Sequence, residues 1–169
     1  MISGIPGAGK TTIALALAQR LRLAAHIEGD AIQNLIVSGG LHPDHEPGAE
    51  AQRQLRLRTR NVSLLADSFF ESGVTPVIDD VVVRRGRLHH YLKCLKARPL
   101  ILVLLAPPLE VALARDAARE EKTVGHIWSH LDEVMRRELS GVGLWIDTSG
   151  LPVEETVDAI LKNSAAGAV

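Results

Sequence analysis

The sequence predicts an α/β fold built on a parallel sheet, and two observations carry that expectation. Short β-branched or Leu-rich runs alternate with longer stretches of helical period, the pattern of strands joined by crossover helices. Aromatic residues make up only 3% of a chain that is 46% apolar, so Leu, Val, Ile and Ala must build the core. Such residues suit strands covered on both faces by helices.

The elements follow in order. Met1-Ile2-Ser3 reads as the first strand. Only three residues precede the glycines after it, where a central strand ordinarily has about five, so either this strand is short or the chain begins upstream. Thr11 to Leu23 reads as the first helix, with Ile13, Leu17 and Leu21 stacked at spacing four. Ala25 to Ile27 reads as a second strand, Val74 to Val83 as a third, Leu100 to Leu105 as a fourth and Leu144 to Ile146 as a fifth. Between them a long helix is expected from Ala49 to Phe70, stopped by Ser72-Gly73, and another from Gly86 to Lys96, closed before Arg98-Pro99. Pro107-Pro108 starts a helix through Glu120. The last helix begins near Pro152, with Glu154 and Glu155 at its positive dipole end, and Ser164 to Val169 reads as a frayed tail.

No linker or repeat interrupts these 169 residues, so one domain over residues 1–169 is expected. The net charge of -1 gives no pull toward long nucleic acid or an anionic membrane, and no apolar run approaches the ~20 residues that span a bilayer. The single cysteine, Cys94, permits no internal disulfide and suits a reducing cytoplasm. Seven histidines include the pairs His42/His45, His89-His90 and His126/His130, but none has a Cys or carboxylate partner at zinc-site spacing, so no structural zinc is expected.

Gly4-Ile5-Pro6-Gly7-Ala8-Gly9-Lys10-Thr11 matches G-x-x-x-x-G-K-[ST] at every fixed position, between a strand and an amphipathic helix. The glycines let backbone N–H groups turn inward just before a helix N-terminus, itself an anion site. Residues Pro6, Gly7, Ala8, Gly9, Lys10, Thr11 and Thr12 are therefore the expected cradle for the phosphates of ATP. Lys10 is expected to reach the β- and γ-phosphates, and the Thr11 hydroxyl to ligate Mg²⁺.

Glu28-Gly29-Asp30 closes the second strand with carboxylates at spacing two, which in an extended segment leave the same face. Ligands of parallel α/β sheets bind at this carboxyl end. Asp30 is the candidate to orient or deprotonate an acceptor hydroxyl, and Glu28 a candidate to hold a magnesium water. The alternative makes Asp30 the N-cap of a helix starting at Ala31. Asp79-Asp80, at the tip of the third strand, offers a magnesium-supporting acid, with Asp79 and Asp80 both open and a turn or cap as the bland reading.

Arg115 and Arg119, four apart on one helix face, are candidates to clamp a transferring phosphoryl group, in a lid over about residues 115–130 hinged at Gly125. The alternative is a solvated face pairing these arginines with Asp116, Glu120 and Glu121. Arg53, Arg56, Arg58 and Arg60 cluster on the long helix, where a subset would meet an acidic or phosphorylated acceptor, against the simpler reading of a solvated face. Leu35, Ile36 and the loop from Gly39 to Pro43 are expected to form a mobile wall.

In these places, Gly4 to Thr11, Glu28 to Asp30 and Arg115 to Arg119, the chain resembles the small-molecule kinases of the P-loop fold. These include gluconate kinase, shikimate kinase, adenylylsulfate kinase and chloramphenicol phosphotransferase. The resemblance implies a three-layer, nucleoside-monophosphate-kinase-like fold with a five-stranded parallel sheet and a lid, and ATP with Mg²⁺ as cofactors. It also implies an acceptor pocket roofed by the helices after the second strand, and places the turn carrying Thr148 and Ser149 beside the adenine. Glu28 departs from shikimate kinase, which has an aspartate there. The implied function is a cytoplasmic ATP-dependent transfer of the γ-phosphoryl group to a hydroxyl of a small molecule, a metabolite or an antibiotic. A nucleotide or polynucleotide kinase is the alternative. From another class comes a regulatory NTP-hydrolysing switch; Asp147-Thr148-Ser149-Gly150 fits D-x-x-G, but no N-K-x-D guanine element exists.

Overall fold

A computed structural model describes residues 1–41, 48–118 and 125–169. Five strands, β1 (Ile2–Ser3), β2 (Ala24–Glu28), β3 (Thr75–Asp79), β4 (Val103–Leu105) and β5 (Leu144–Ile146), form one sheet in the order β2-β3-β1-β4-β5. All pairings are parallel. The helices are α1 (Lys10–Arg20), α2 (Gly29–Asn34), α3 (Ala49–Glu71), α4 (Arg85–Cys94), α5 (Leu109–Ala117), α6 (Gly125–Trp128), α7 (His130–Glu138) and α8 (Val153–Asn163).

The aliphatic core expected from the composition is present. Ile2, Val103, Leu104 and Leu105 of the central strands are buried, as are Ile13 and Leu17 of α1, while Leu21 packs partly buried against them. A parallel sheet sandwiched by helices hides both its faces, which is why its strands read as unbroken apolar runs.

Several boundaries differ from the sequence expectation, each for a local reason. The third strand ends at Asp79, because Ser3 Oγ donates to the Val82 carbonyl and accepts from the Val82 N–H, drawing Val81–Val83 out of the ladder. The second strand runs directly into α2 at Gly29, so Asp30 lies in a helical first turn rather than at an extended tip. Glu28, and not Asp30, is the N-cap residue of that helix, and no side chain caps it.

The expected fray at the C-terminus is also overturned. Ser164–Gly167 forms a short 3-10 turn, the Leu102 N–H donates to the Gly167 carbonyl, and the Val169 N–H donates to that of Leu100. Residues 100–102, expected as strand, pair on one side with this tail, and β4 begins only at Val103. Helix α7 was not expected; it buries Leu131, Val134 and Met135, a three-then-one apolar spacing that helical period would have revealed.

Candidate functional site

The phosphate-loop residues sit between β1 and α1, at the carboxyl edge of the sheet. Ile5 and Ala8 are buried and anchor the loop from below. Gly7 has φ +80, and an added Cβ would lie 2.0 Å from the Ala112 carbonyl of α5, so no side chain fits there. Gly9, at φ +93, is held by conformation alone, with open space around its missing Cβ. It passes the chain into α1, whose first residue is Lys10. The Lys10 ammonium donates to the Ile5 carbonyl at 3.3 Å, so the side chain lies across the loop it would serve.

Thr11 and Asp79, 68 residues apart in sequence, are brought together: Thr11 Oγ1 donates to Asp79 Oδ2 at 2.6 Å. His26 Nε2 lies 3.8 Å from the same oxygen and is buried without a hydrogen-bond partner. Sequence reasoning missed His26; its place on β2 beside Val77 of β3 follows only from strand register. Glu28 pairs in register with Asp79 and is half-buried. Among the described residues, no three His, Cys, Asp or Glu gather into a cluster able to hold a metal alone. The Thr11 hydroxyl and Asp79 carboxylate are nonetheless hard oxygen donors, suited to magnesium, which binds through one or two carboxylates and completes its shell with water and phosphate.

Asp80 does something different from its neighbour. Its side chain is wholly buried and takes Arg58 Nη2, Arg87 Nη2 at 2.5 Å, the Tyr91 hydroxyl at 2.5 Å and the Val81 N–H at 2.8 Å. Burial works to raise its pKa, but the Arg87 and Arg58 charges and the Tyr91 hydroxyl outweigh this and hold the carboxyl below the usual carboxylate range. Burial and the adjoining Asp80 charge push the Tyr91 phenol well above its ordinary value, so it remains a donor. Gly29 makes room for the cluster: a Cβ there would lie 2.8 Å from the Asp80 carboxyl carbon.

Arg58 connects this cluster to Asp30. Its Nη1 donates to Asp30 Oδ1 at 2.7 Å, with the arginine side chain 4% exposed and the aspartate 64% exposed. A fixed guanidinium thus presents an open carboxylate at the mouth of the sheet. Of the four clustered arginines, Arg58 alone is buried. Arg53 pairs with Glu50 in solvent, and Arg56 and Arg60 are exposed. Gln54 and Val62, four residues to either side, share the buried stripe of α3, the signal that singles Arg58 out.

Arg115 turns toward the other end of the site. It donates to Thr148 Oγ1 at 3.1 Å and to the Thr148 carbonyl at 2.8 Å, and Thr148 Oγ1 in turn lies 3.4 Å from the Ala8 carbonyl. The Ser149 N–H donates to Asp147 Oδ1 at 2.8 Å, closing the turn. Arg119, the rest of the expected lid over 119–124, and His42, Pro43 and His45 lie outside the described residues. The expected mobile wall is pinned at its start: Leu41 N–H donates to Gln54 Oε1 at 2.7 Å, and Gln54 Nε2 donates to the Gly39 carbonyl at 2.9 Å.

A glycine cradle at a helix N-terminus, a lysine across it and a hydroxyl–carboxylate pair beside it, all at the carboxyl edge of a 2-3-1-4-5 parallel sheet, define a P-loop nucleotide-binding protein. The chain belongs to the AAA domain family, whose profile matches residues 1–138. No curated protein matches it. Among solved structures it is similar to a sugar kinase from Janibacter sp. HTCC2649, at 20% identity over 99% of this chain and 96% of that one, with a TM-score of 0.69. It is also similar to the tunicamycin resistance protein of Deinococcus radiodurans, at 22% identity over 99% and 94% of the two chains, with a TM-score of 0.65. A gluconokinase from Sinorhizobium meliloti 1021 matches at 20% identity over 97% and 89%, again with a TM-score of 0.65. At these identities the likeness is one of fold.

Proposed function

We propose that this protein is a cytoplasmic ATP-dependent phosphotransferase that moves the γ-phosphoryl group to a hydroxyl of a small molecule. The observation that carries the reading is Asp30: an exposed carboxylate held by the buried Arg58 at the same sheet edge as the Lys10 loop and the Thr11–Asp79 pair. A hydrolytic switch has no use for a second carboxylate fixed beside the cradle, whereas a transferase needs one to receive an acceptor. The sugar kinase and gluconokinase among the structural relatives support the same reaction class.

In this reading the loop N–H groups and Lys10 bind the polyphosphate, and Thr11 with Asp79 would hold magnesium, Glu28 standing behind a magnesium water. Magnesium–ATP, when bound, supplies the transferable phosphoryl group and neutralises charge between its β and γ oxygens. Asp30 orients the acceptor hydroxyl and takes its proton as the new oxygen–phosphorus bond forms and the bond to the departing ADP breaks. The products are ADP and a phosphomonoester. Arg115 links Thr148, the proposed adenine side, to the loop, and with Arg119 closes a lid over about residues 115–130 of a single domain. Among the described residues no helix is long and apolar enough to cross a membrane.

The test is acceptor-dependent ADP release across hydroxylated metabolites, antibiotics and nucleotides. One compound class should raise release at least about tenfold over basal hydrolysis, since positioning an acceptor beside the phosphoryl group lowers the barrier far more than bulk water can. Nucleotides alone stimulating would assign a nucleotide kinase. No stimulation by any class, with basal hydrolysis intact, would reject the transferase in favour of the switch.

A further inference from the structure

Helices α3 and α4 pack with a cleft of about 350 Å³ between them, outside the phosphate cradle and sharing no residue with it. Its lining includes Arg56 and Thr59 beside the neutral Gln52 and Leu55 of α3, and Arg87, His89, His90 and Lys93 of α4. Five of the nine lining residues, Arg56, Arg87, His89, His90 and Lys93, are basic, and among the described residues neither Asp nor Glu lines the cleft. Arg87 is balanced from beneath by Asp80, yet its Nε is buried without a hydrogen-bond partner. Among the described residues neither Arg56 nor Lys93 has a carboxylate partner.

Most charged faces of a folded chain intersperse both signs, as Arg20 with Glu154 and Asp158 does here. Gathering basic side chains in one concave site is unfavourable unless an anion relieves it. The geometry adds to the charge. His90 Nε2 lies 3.4 Å from the Arg56 carbonyl, a contact that joins the two helices beside the cleft. The lining includes Gly86 and Arg87 in the first turn of the ten-residue α4, where the helix dipole favours negative charge. The volume lies at the small end of ligand sites, roughly 300–1,000 Å³, and suits a compact molecule rather than a polymer.

We propose that the cleft between α3 and α4 is a second anion site, which takes a phosphate-bearing small molecule with Arg56, Arg87 and Lys93 gripping the phosphate oxygens. Guanidinium groups match phosphate geometry in a fork, and lysine adds a point charge. The phosphate belongs either to the far end of the acceptor or to a separate effector.

Inorganic phosphate and glycerol 3-phosphate are titrated into the full chain while the ring signals of His89 and His90 are followed by NMR. The cradle is filled beforehand with a non-hydrolysable ATP analogue and magnesium. Both probes should move those signals saturably. Arg56→Gln with Lys93→Gln should weaken binding at least about tenfold, because each removes a charge-assisted contact. Both residues are exposed, so the melting temperature should hold, and Lys93→Arg should restore most of the affinity. Lys10→Ala should leave the cleft titration unchanged, which separates this inference from the kinase reading. Histidine signals that stay still into the millimolar range, or a double variant that binds as the unsubstituted chain does, would overturn it. So would signals moved only by a single-stranded oligonucleotide.

The source of the phosphate is decided by kinetics, an arm that rests on the proposed transferase. If it is the acceptor's own, the double variant raises the KM of a phosphorylated acceptor and leaves that of an unphosphorylated analogue unchanged. If it is an effector's, glycerol 3-phosphate changes the KM of an unphosphorylated acceptor in the unsubstituted chain and not in the double variant.

Discussion

Eight consecutive residues, Gly4 to Thr11, make the phosphate loop, and their backbone forms its cradle; the cluster around Asp80 draws on α2, α3, the end of β3 and α4, and apart from the Val81 N–H works through side chains. Both lie at the carboxyl edge of one sheet. A backbone site depends on glycine where the chain turns, as Gly7 beneath α5 illustrates, and tolerates change in the side chains that point away. A side-chain site has the opposite weakness. With two guanidinium groups and a phenol converging on one buried carboxylate, the contacts of all three depend on that carboxylate being there.

Lys10→Ala breaks the first half of the comparison most severely. Loss of a charge set against the transferring group should lower ATP turnover by roughly 10³-fold or more, as for other cations at phosphoryl-transfer sites. Its melting temperature should stay near that of the unsubstituted chain, since the loop is anchored by Ile5 and Ala8 and not by the lysine. A turnover unchanged in this variant would remove the cradle from the account.

Asp80→Asn tests the second half, and its effect should fall on stability. An amide leaves the Arg87 charge buried and uncompensated and Arg58 with only the exposed Asp30 as its counter-charge, a loss of about 3–5 kcal/mol by denaturant unfolding. Asp79→Asn, one residue away, should cost far less stability and instead weaken magnesium-dependent turnover. The pair also differs in acid. The Asp80 carboxyl is held below its unfolded value, so its stabilisation is complete above about pH 4 and declines as pH falls toward the folded value. Unfolding followed from pH 6 downward should show a shallower slope in Asp80→Asn than in the unsubstituted chain, the remainder coming from carboxyls such as Glu50, which Arg53 and Gln54 also hold low. Equal losses of stability from the two substitutions would erase the distinction between them.

The same contrast explains what could be read from sequence. The loop was legible because its chemistry is contiguous, and the sheet because buried parallel strands are unbroken apolar runs. Adjacent carboxylates at a strand tip carry no label: Asp79 and Asp80 point different ways, and only Thr11 on one side and Arg58, Arg87 and Tyr91 on the other distinguish them. Arg58 sat within a run of arginines that looks solvated, although its place on the stripe of Gln54 and Val62 was available from helical period. The small residues of the tail suggested fraying, because nothing local shows that Leu100 and Leu102 lack a neighbouring strand until Gly167 and Val169 fill it.

Asp30→Asn sharpens the comparison most finely, because Asp30 is where the two regions act on one molecule. Asparagine keeps the size and still accepts from Arg58 Nη1, so the fold and the nucleotide affinity should be nearly unchanged. What it loses is the ability to take a proton from the acceptor, a contribution of about 10² or more to the rate of transfer. The expected result is therefore a fall of that size in kcat for acceptor phosphorylation, with the KM for ATP and the basal hydrolysis rate within about twofold. Arg58→Lys should give a milder fall with a raised acceptor KM, since an ammonium cannot hold Asp30 and Asp80 through the two ends of one planar fork. If Asp30→Asn instead lowered ATP affinity and transfer together, the carboxylate would belong to the architecture of the nucleotide site, and the acceptor's proton would have to leave by another route.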